Sequence, residues 1–408
     1  MSITRRTLLL GAGTGAVAVL LAACTPEPTR PTPTRSTPAP RPTAPSQVPA
    51  LAAFVRSSWS KDPYSYGAIS YLPSGTDPQQ RATLAEPIGD RLFFAGEALD
   101  TDSPGTVLGA VDSGRAAALA LIVAAGPKER VAVIGAGAAG VVAARMLADA
   151  NHDVTVFEAR DRSGGRILSQ KAKDWPVPAQ LGGWLISDEQ LAALHDRITT
   201  LGEQQLTFET ATGWSKDGAA DTVSGDPIAQ AAAKAGDLPA DIPLAEALTQ
   251  NGADLEDPAL AASLAWLSAT TGADPEKASS WYPPAFAPDT LTGMAEDLGS
   301  FFDKHLEDQQ VTLASPVVRV AYDDSGVSLR LGTGEALSFD RVIVTAPLGV
   351  LQRQGIEFAP ALPKPHRGAI ASLASGFVET VWMRFEEPFW DAEQTIWHVV
   401  GGDGLIRT

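Results

Sequence analysis

The stretch Val131-Ala-Val-Ile-Gly-Ala-Gly-Ala-Ala-Gly140 decides the fold. The four apolar residues before Gly135 are typical of a parallel strand that is covered on both faces. Gly135 allows a tight turn, Gly137 lets a pyrophosphate approach the backbone, and Gly140 permits close packing of the helix that follows. A phosphate is then expected at the N-terminus of that helix. The stretch therefore predicts a strand, a turn and a helix that bind a dinucleotide.

A second apolar strand and an acidic residue support this prediction. Val154-Thr-Val-Phe157 follows the predicted helix and ends in Glu158, which stands 18 residues beyond Gly140. A carboxylate at this spacing accepts hydrogen bonds from the ribose hydroxyls of a dinucleotide. The alternative is a glycine-rich helix start without a ligand, because a lone Gly-x-Gly-x-x-Gly is weak evidence. The order of strand, turn, helix, strand and acid favours the nucleotide site.

Length and composition limit the remaining possibilities. The chain has 408 residues, which is enough for about two or three domains with their own cores. Its net charge of −17 argues against nucleic acid and anionic membrane surfaces as partners, although such a charge also serves simply to keep a protein dispersed. Cys24 is the single cysteine, so a disulfide within the chain and a thiolate zinc cluster are excluded. The five histidines lack metal-ligand spacing, and no metal site is predicted.

The N-terminus has the pattern of an export signal. Thr4-Arg5-Arg6-Thr7 precedes an uncharged stretch, 8–23, that is short for a membrane span. The arginine pair resembles a twin-arginine signal, and Leu21-Ala-Ala-Cys24 resembles a bacterial lipobox in which Cys24 is lipidated. Residues 1–24 are therefore predicted to be a signal, with an uncleaved anchor helix as the alternative. The expected location is the outer face of the bacterial cytoplasmic membrane, where the protein is held by its lipid anchor.

The segments before the dinucleotide motif predict a linker, a strand and a helix. Residues 25–50 are rich in proline and threonine, so they are expected to form an extended linker. The block Arg91-Leu-Phe-Phe-Ala-Gly-Glu97 indicates a buried strand, and a helix starts at Gly105-Thr106-Val107. Gly126-Pro-Lys-Glu129 is a short breaker that leads into the strand of the dinucleotide motif.

After the motif, the chain changes from helical to β character. Residues 186–310 contain helical patterns such as 243–248 and 259–270. Residues 311–346 predict a three-stranded meander that returns to a buried strand. Thr380-Val-Trp-Met-Arg-Phe385 predicts a further strand.

Taken together, these motifs resemble the flavin amine oxidase family, which includes monoamine and polyamine oxidases, bacterial L-amino-acid oxidases and flavin histone demethylases. The resemblance rests on Ile134–Gly140 combined with Glu158-Ala-Arg-Asp-Arg-Ser-Gly-Gly-Arg166. Gly96-Glu97 and Pro104-Gly-Thr-Val107 resemble the C-terminal flavin motifs of the family. The match covers most of residues 54–408.

The order of these motifs resembles a circular permutation of the family. The C-terminal motifs stand before the N-terminal ones and are joined to them through residues 126–129. Permutation requires nearby surface termini, which a short link then connects. Part of the substrate domain, which the family would place between the equivalents of Thr408 and Phe54, has no counterpart in this sequence.

The resemblance implies an α/β fold with two domains. One is a Rossmann-type, glutathione-reductase-like FAD-binding domain with a parallel sheet and a β-meander, predicted over 51–185 and 311–350 with its permuted halves joined at 126–129. The other is an incomplete α+β substrate domain over 186–310 and 351–408.

The resemblance also implies FAD and a set of residues that bind it. Glycines of the turn would hold the pyrophosphate, Glu158 the adenosine ribose, and Arg160 and Arg166 would neutralise nearby negative charge. The FAD is expected to be non-covalent, because Ala68 stands where some relatives carry a cysteinyl flavin. The implied cofactor-binding residues are Gly96, Glu97, Thr106, Val107, Gly135, Gly137, Ala138, Ala139, Gly140, Glu158, Arg160, Arg166, Trp184, Leu185 and Val317.

The implied function is oxidation of a small amine or amino acid by hydride transfer to flavin, with O2 as the acceptor. Two positions depart from the family, which usually has lysine where this sequence has Thr380 and an aromatic residue where it has Ile69. The alternative function is therefore a lipid-anchored FAD-binding protein with little or no turnover. A third hypothesis, an NAD-dependent reductase, is disfavoured by the double glycine and arginine of 164–166. No catalytic residue is predicted.

Overall fold

The computed structural model describes residues 48–401 except 174, 196–203, 209–210, 288–289, 392 and 394. The predicted signal, Cys24 and residues 25–47 of the predicted linker lie outside the described residues. Val48–Thr408 clusters as one compact unit.

The described helices are α1 (Gln79–Ala85), α2 (Val107–Ala124), α3 (Ala138–Asp149), α4 (Asp188–His195), α5 (Asp226–Ala235), α6 (Leu244–Gln250), α7 (Pro258–Thr271), α8 (Leu298–His305), α9 (Leu348–Gln352) and α10 (Lys364–Ser372). The described strands are β1 (Leu51–Arg56), β2 (Ile69–Tyr71), β3 (Leu92–Phe94), β4 (Arg130–Ile134), β5 (Asp153–Phe157), β6 (Ser169–Gln170), β7 (Ala179–Gln180), β8 (Leu185–Ile186), β9 (Gln205–Phe208), β10 (Ala211–Ser215), β11 (Gly218–Ala220), β12 (Leu291–Met294), β13 (Gln310–Thr312), β14 (Val317–Asp323), β15 (Gly326–Leu331), β16 (Ala336–Phe339), β17 (Arg341–Val344), β18 (Glu357–Ala359), β19 (Ala374–Gly376), β20 (Val381–Phe385) and β21 (Ile396–Val399).

A parallel five-stranded sheet organises the molecule. Its strand order is β13-β5-β4-β17-β3, and every pairing in it is parallel. The strands β4, β17 and β3 are almost continuously apolar and buried, as a parallel sheet covered on both faces requires. The predicted α/β fold with a Rossmann-type sheet is confirmed.

Helices cover one face of this sheet and the meander covers the other. On the helical face, α2 and α3 pack so closely that a Cβ on Gly114 would lie 2.3 Å from the carbonyl oxygen of Ala139. On the opposite face, the predicted meander forms β14, β15 and β16, and β18 adds to it in parallel. The α2 helix is long and apolar enough to cross a membrane. Its buried residues, such as Val111 and Leu121, belong to the core, so we assign it as a core helix.

The remaining sheets are smaller and pair segments that are distant in the sequence. β1 pairs with β20, so the first strand of the predicted FAD-binding part lies against a strand of the predicted substrate part. β12 pairs with β8 and β9, and β2 pairs with β19. The domain boundaries drawn from the sequence stay a prediction.

Candidate cofactor and active site

The candidate site lies at the carboxyl edge of the parallel sheet. β4 ends at the glycine turn, β5 ends just before Glu158, and β3 ends just before Gly96 and Glu97. Because the strands are parallel, these three ends meet at one edge, which is where open α/β sheets bind their ligands. Residues far apart in the sequence, such as Glu97 and Glu158, are thereby brought to one cavity.

The glycine turn is closed by contacts that a side chain would block. Gly135 has φ +106°, and a Cβ there would lie 2.4 Å from Thr345 Oγ1. Thr345 Oγ1 donates to the carbonyl of Ile134 at 2.8 Å. A Cβ on Gly140 would lie 1.9 Å from the carbonyl oxygen of Gly135. Gly140 thus lets the helix pack closely against the turn, as the sequence predicts, but it is not in the cavity wall, unlike Gly135 and Gly137.

Glu158 is a buried carboxylate that fixes two loops. Its Oε2 accepts the N–H of Ala136 at 2.8 Å, and its Oε1 accepts the N–H of Arg160 at 2.8 Å. Each carboxylate oxygen has two lone pairs, so the ribose contacts implied by the sequence remain available at the cavity wall. Glu158 therefore holds the turn in shape, and its contact with a ribose stays a prediction.

Arg160 is bonded within the protein. Its Nη2 donates to Asp62 Oδ1 and to Ser65 Oγ, both at 2.8 Å, and its guanidinium lies over the ring of Tyr64. The positive charge that the sequence assigns to a phosphate is thus already paired with Asp62. This contact connects the loop after β1 to the carboxyl end of β5.

Glu97 and Arg166 form a buried ion pair, with Arg166 Nη1 at 2.9 Å from Glu97 Oε1. Ser70 Oγ donates to Glu97 Oε2 at 2.6 Å, and Arg81 Nη1 donates to Ser70 Oγ at 2.8 Å. Burial raises the pKa of Glu97, but Arg166, Ser70 and Arg81 together hold the pKa below its ordinary value. Ser70 and Arg81 were not predicted, because no motif marks them.

The start of α2 faces the same cavity. Thr106 is the N-cap, and its Oγ1 accepts the N–H of Gly109 at 2.9 Å. Thr106 and Val107 both line the cavity. The first N–H groups of a helix lack intrahelical acceptors and carry partial positive charge. The arrangement can therefore stabilise negative charge on a bound ligand.

Trp184 forms another part of the wall and packs against two aromatic side chains outside the cavity lining, Phe208 and Trp382. The Trp184 ring packs edge-on against Phe208 with ring centroids 5.8 Å apart, and its centroid is 5.4 Å from that of Trp382. Trp382 Nε1 donates to the carbonyl of Gln180 at 2.8 Å, which fixes β20 against the loop that carries Trp184. Trp382 was not predicted as a site residue, because its relation to Trp184 depends on the pairing of β1 with β20.

The two positions that depart from the family, Thr380 and Ile69, also line the cavity. The Thr380 N–H donates to Ser57 Oγ at 2.8 Å, and Ser57 Oγ donates to Glu379 Oε2 at 2.6 Å. Glu379 also accepts the N–H groups of Trp59 and Ser60. This network could not be predicted from the sequence, because Ser57 and Glu379 are 322 residues apart.

The cavity measures about 1130 Å³, which exceeds the roughly 300–1,000 Å³ of ordinary small-molecule sites. A long dinucleotide needs such a volume. Of the fifteen residues implied by the sequence, all but Gly140 line it: Gly96, Glu97, Thr106, Val107, Gly135, Gly137, Ala138, Ala139, Glu158, Arg160, Arg166, Trp184, Leu185 and Val317. The glycine turn, the two buried acids and the α2 start therefore fit FAD. Within the described ranges, no group of three or more His, Cys, Asp or Glu side chains could hold a metal.

Comparison with known proteins agrees with this geometry. A family model for flavin containing amine oxidoreductase matches residues 38–122 and 249–406, together more than half of the chain. A model for an NAD(P)-binding Rossmann-like domain matches residues 133–198.

Lysine-specific histone demethylase 1B of Mus musculus is 30% identical over 309 residues, which cover 64% of this chain and 35% of that protein. Polyamine oxidase 4 of Oryza sativa subsp. japonica is 28% identical over 295 residues, which cover 64% of this chain and 60% of that protein. The chain thus spans about a third of the demethylase's length. A solved structure of putrescine oxidase bound to putrescine aligns with a TM-score of 0.46 and 20% identity, over 59% of this chain and 63% of that one. The chain belongs to the flavin containing amine oxidoreductase family, and FAD is its cofactor.

Proposed function

We propose that this protein oxidises a small-molecule amine or amino acid, with O2 as the electron acceptor. The observation that carries the proposal is that one cavity is lined by the dinucleotide turn, the Glu97–Arg166 pair and Trp184. The chain's family supports an oxidoreductase that acts on amines. Bound FAD would accept a hydride from the carbon that carries the amine.

Several residues of the chain have a defined role in this proposal. The N–H groups of Thr106 and Val107 at the start of α2 would stabilise negative charge that develops on the flavin. Glu97 holds the Arg166 guanidinium in place in the cavity wall. The ring of Trp184, fixed by Trp382, would exclude water and orient the substrate.

Thr380 favours a second candidate, an FAD-binding protein with little or no turnover. Its hydroxyl stands in the cavity wall where the family usually has a lysine, and a neutral hydroxyl cannot replace an amine at that reach. The hydrogen bonds of Glu158 and the ion pair of Glu97, which shape the cofactor cavity, do not involve Thr380. FAD binding and amine turnover are therefore separable properties in this chain.

Rapid anaerobic mixing separates the two candidates. Oxidised protein is mixed with primary amines, polyamines and L-amino acids, and the flavin absorbance is followed. Bleaching at about 1–10³ per second, the range of ordinary enzymes, followed by peroxide formation on admission of O2, supports the oxidase. Yellow protein that none of these compounds bleaches supports the binding protein.

The variant Thr380→Lys tests the same point from the protein side. We expect it to accelerate bleaching by an amine that the wild type oxidises slowly. Val381→Lys is the matched control, because Val381 is the next residue, is exposed, and is not in the cavity wall. Equal rates for wild type and Thr380→Lys would contradict the role given to position 380.

We further propose that the protein is exported and anchored through a lipid on Cys24, on the outer face of the bacterial cytoplasmic membrane. The arginine pair, the apolar stretch and the lipobox occur in the required order. Cys24→Ser should release the protein from the membrane fraction. Recovery of wild-type protein exclusively from the soluble cytoplasm would contradict the proposal.

A further inference from the structure

Arg81 is a buried arginine in the wall of the cofactor cavity to which neither a motif nor the family comparison gives a role. It lies on the short helix α1, and its side chain is 3% exposed. It lines the cavity together with Ser70 and Glu97. An arginine side chain is rarely buried unless it is paired, so its contacts need an explanation.

The three nitrogens of the Arg81 guanidinium differ in their bonding. Nη1 donates to Ser70 Oγ at 2.8 Å and to the carbonyl of Ala98 at 2.7 Å. Nε is buried without a hydrogen-bond partner. Nη2 donates to none of the residues that the structure describes. Nε is closed off from solvent and therefore from the cavity. Because Arg81 lines the cavity, Nη2 is the unpartnered donor that remains for a ligand.

The carboxylates near Arg81 are bonded to other groups. Glu97 accepts from Arg166 and Ser70, and Asp100 accepts the N–H groups of Asp102 and Ser103. Burial lowers the pKa of Arg81, whereas the charges of Glu97 and Asp100 raise it. Arg160 and Arg166, the other two guanidiniums of the cavity, are each within hydrogen-bond distance of a carboxylate. Among the described residues, Arg81 has no such contact.

We propose that Arg81 is an anion-binding residue of the FAD site, with Nη2 donating to a negatively charged oxygen of the bound cofactor. A guanidinium is the donor that suits phosphate oxygens best, and a charge-assisted hydrogen bond also relieves the burial of Arg81. Two parts of FAD carry such oxygens, the diphosphate and the reduced flavin ring. The proposal depends on FAD binding and not on amine turnover.

The test compares Arg81→Gln with wild type for binding of ADP, riboflavin and FAD to the apoprotein, followed by calorimetry. A hydrogen bond to a charged group corresponds to about a ten- to hundredfold change in affinity. We expect ADP and FAD to bind that much more weakly, with riboflavin unchanged, if Nη2 contacts the diphosphate. If ADP is unaffected but the flavin midpoint potential falls, Nη2 contacts the reduced ring. Both results support the proposal.

Unchanged affinity for ADP and FAD, together with an unchanged potential, would overturn it. Arg91→Gln is the matched control, because Arg91 also donates to backbone carbonyls but lies outside the cavity wall. If Arg81→Gln does not fold, the same binding measurements are made with Arg81→Lys. A lysine ammonium cannot reproduce the forked contacts, so weaker binding of ADP or FAD supports the role of Nη2, and wild-type binding of both refutes it.

Discussion

Two regions of the molecule differ in which side chains they bury. One is the carboxyl edge of the parallel sheet, and the other is the pair of strands β1 and β20. At the sheet edge, charged side chains such as Glu158 and Glu97 are buried and hydrogen-bonded from several sides. Along β1 and β20, large apolar side chains face solvent, with Phe54 58% and Met383 57% exposed. The first region is pre-organised for a charged cofactor, because its buried groups already have partners. The difference indicates that substitutions at the sheet edge should affect cofactor binding more than substitutions on the exposed strands.

The largest effect is expected where the segment at residues 126–129 leads into β4. Buried Arg341 donates to Glu129 Oε2 at 2.5 Å and to the carbonyl of Ala124 at 2.7 Å, and it also contacts the carbonyl of Asp90. Arg341→Ala leaves Glu129 without its counter-charge, so the free energy of unfolding should fall by roughly 3–5 kcal/mol. Denaturant titration measures this loss.

Arg145→Ala is the control for that measurement. Arg145 pairs with Asp149 on the surface, and an exposed pair contributes about 0–1 kcal/mol. If both variants lose the same free energy of unfolding, the Arg341–Glu129 pair does not stabilise the segment at residues 126–129.

The second-largest effect is expected on the affinity for FAD. Glu158→Ala removes the acceptor of the Ala136 and Arg160 N–H groups and the predicted acceptor of the ribose hydroxyls. Unsatisfied buried donors cost about 1–3 kcal/mol, so FAD should bind roughly ten- to a hundredfold more weakly. Fluorescence titration of apoprotein with FAD measures it. Wild-type affinity in this variant would remove Glu158 from the cofactor site.

The pH dependence of the melting temperature tests the Glu97–Arg166 ion pair. Because the pKa of Glu97 is lowered in the folded protein, its charge stabilises the fold above the ordinary carboxyl pKa of about 4.3. That stabilisation is lost as the pH falls through the lowered value. The melting temperature of wild type should therefore exceed that of Glu97→Gln at neutral pH, and the difference should shrink in acid. A difference that stays constant from about pH 7 to pH 3 would contradict the assignment.

The smallest effect is expected on the exposed strands. Phe54 and Met383 face each other across the β1–β20 pairing. Replacing either with threonine keeps the strand propensity, and surface substitutions usually change stability by about 0.5 kcal/mol or less. FAD affinity should not change. A loss of affinity in Phe54→Thr would show that the two regions are coupled.

The sequence predicted the cofactor region better than the rest, for a physical reason. The glycine turn, Glu158 and the α2 start are local patterns, since each depends on backbone geometry within a few residues. Arg81, Glu379 and Trp382 were missed because their roles depend on contacts across the fold, such as Glu379 with Ser57. Gly140 was predicted both to allow close helix packing and to hold the pyrophosphate. The structure shows the close packing, and Gly140 is not among the residues that line the cavity.

The visible spectrum of the purified protein, before and after acid precipitation, tests most directly whether the chain binds FAD non-covalently. We expect a yellow protein with about one FAD per chain, which acid releases into the supernatant because the flavin is held by the cavity and not by a covalent bond. A colourless protein that does not take up added FAD would contradict the claim that the carboxyl edge of the sheet is a flavin site. Colour that remains in the pellet would contradict non-covalent binding.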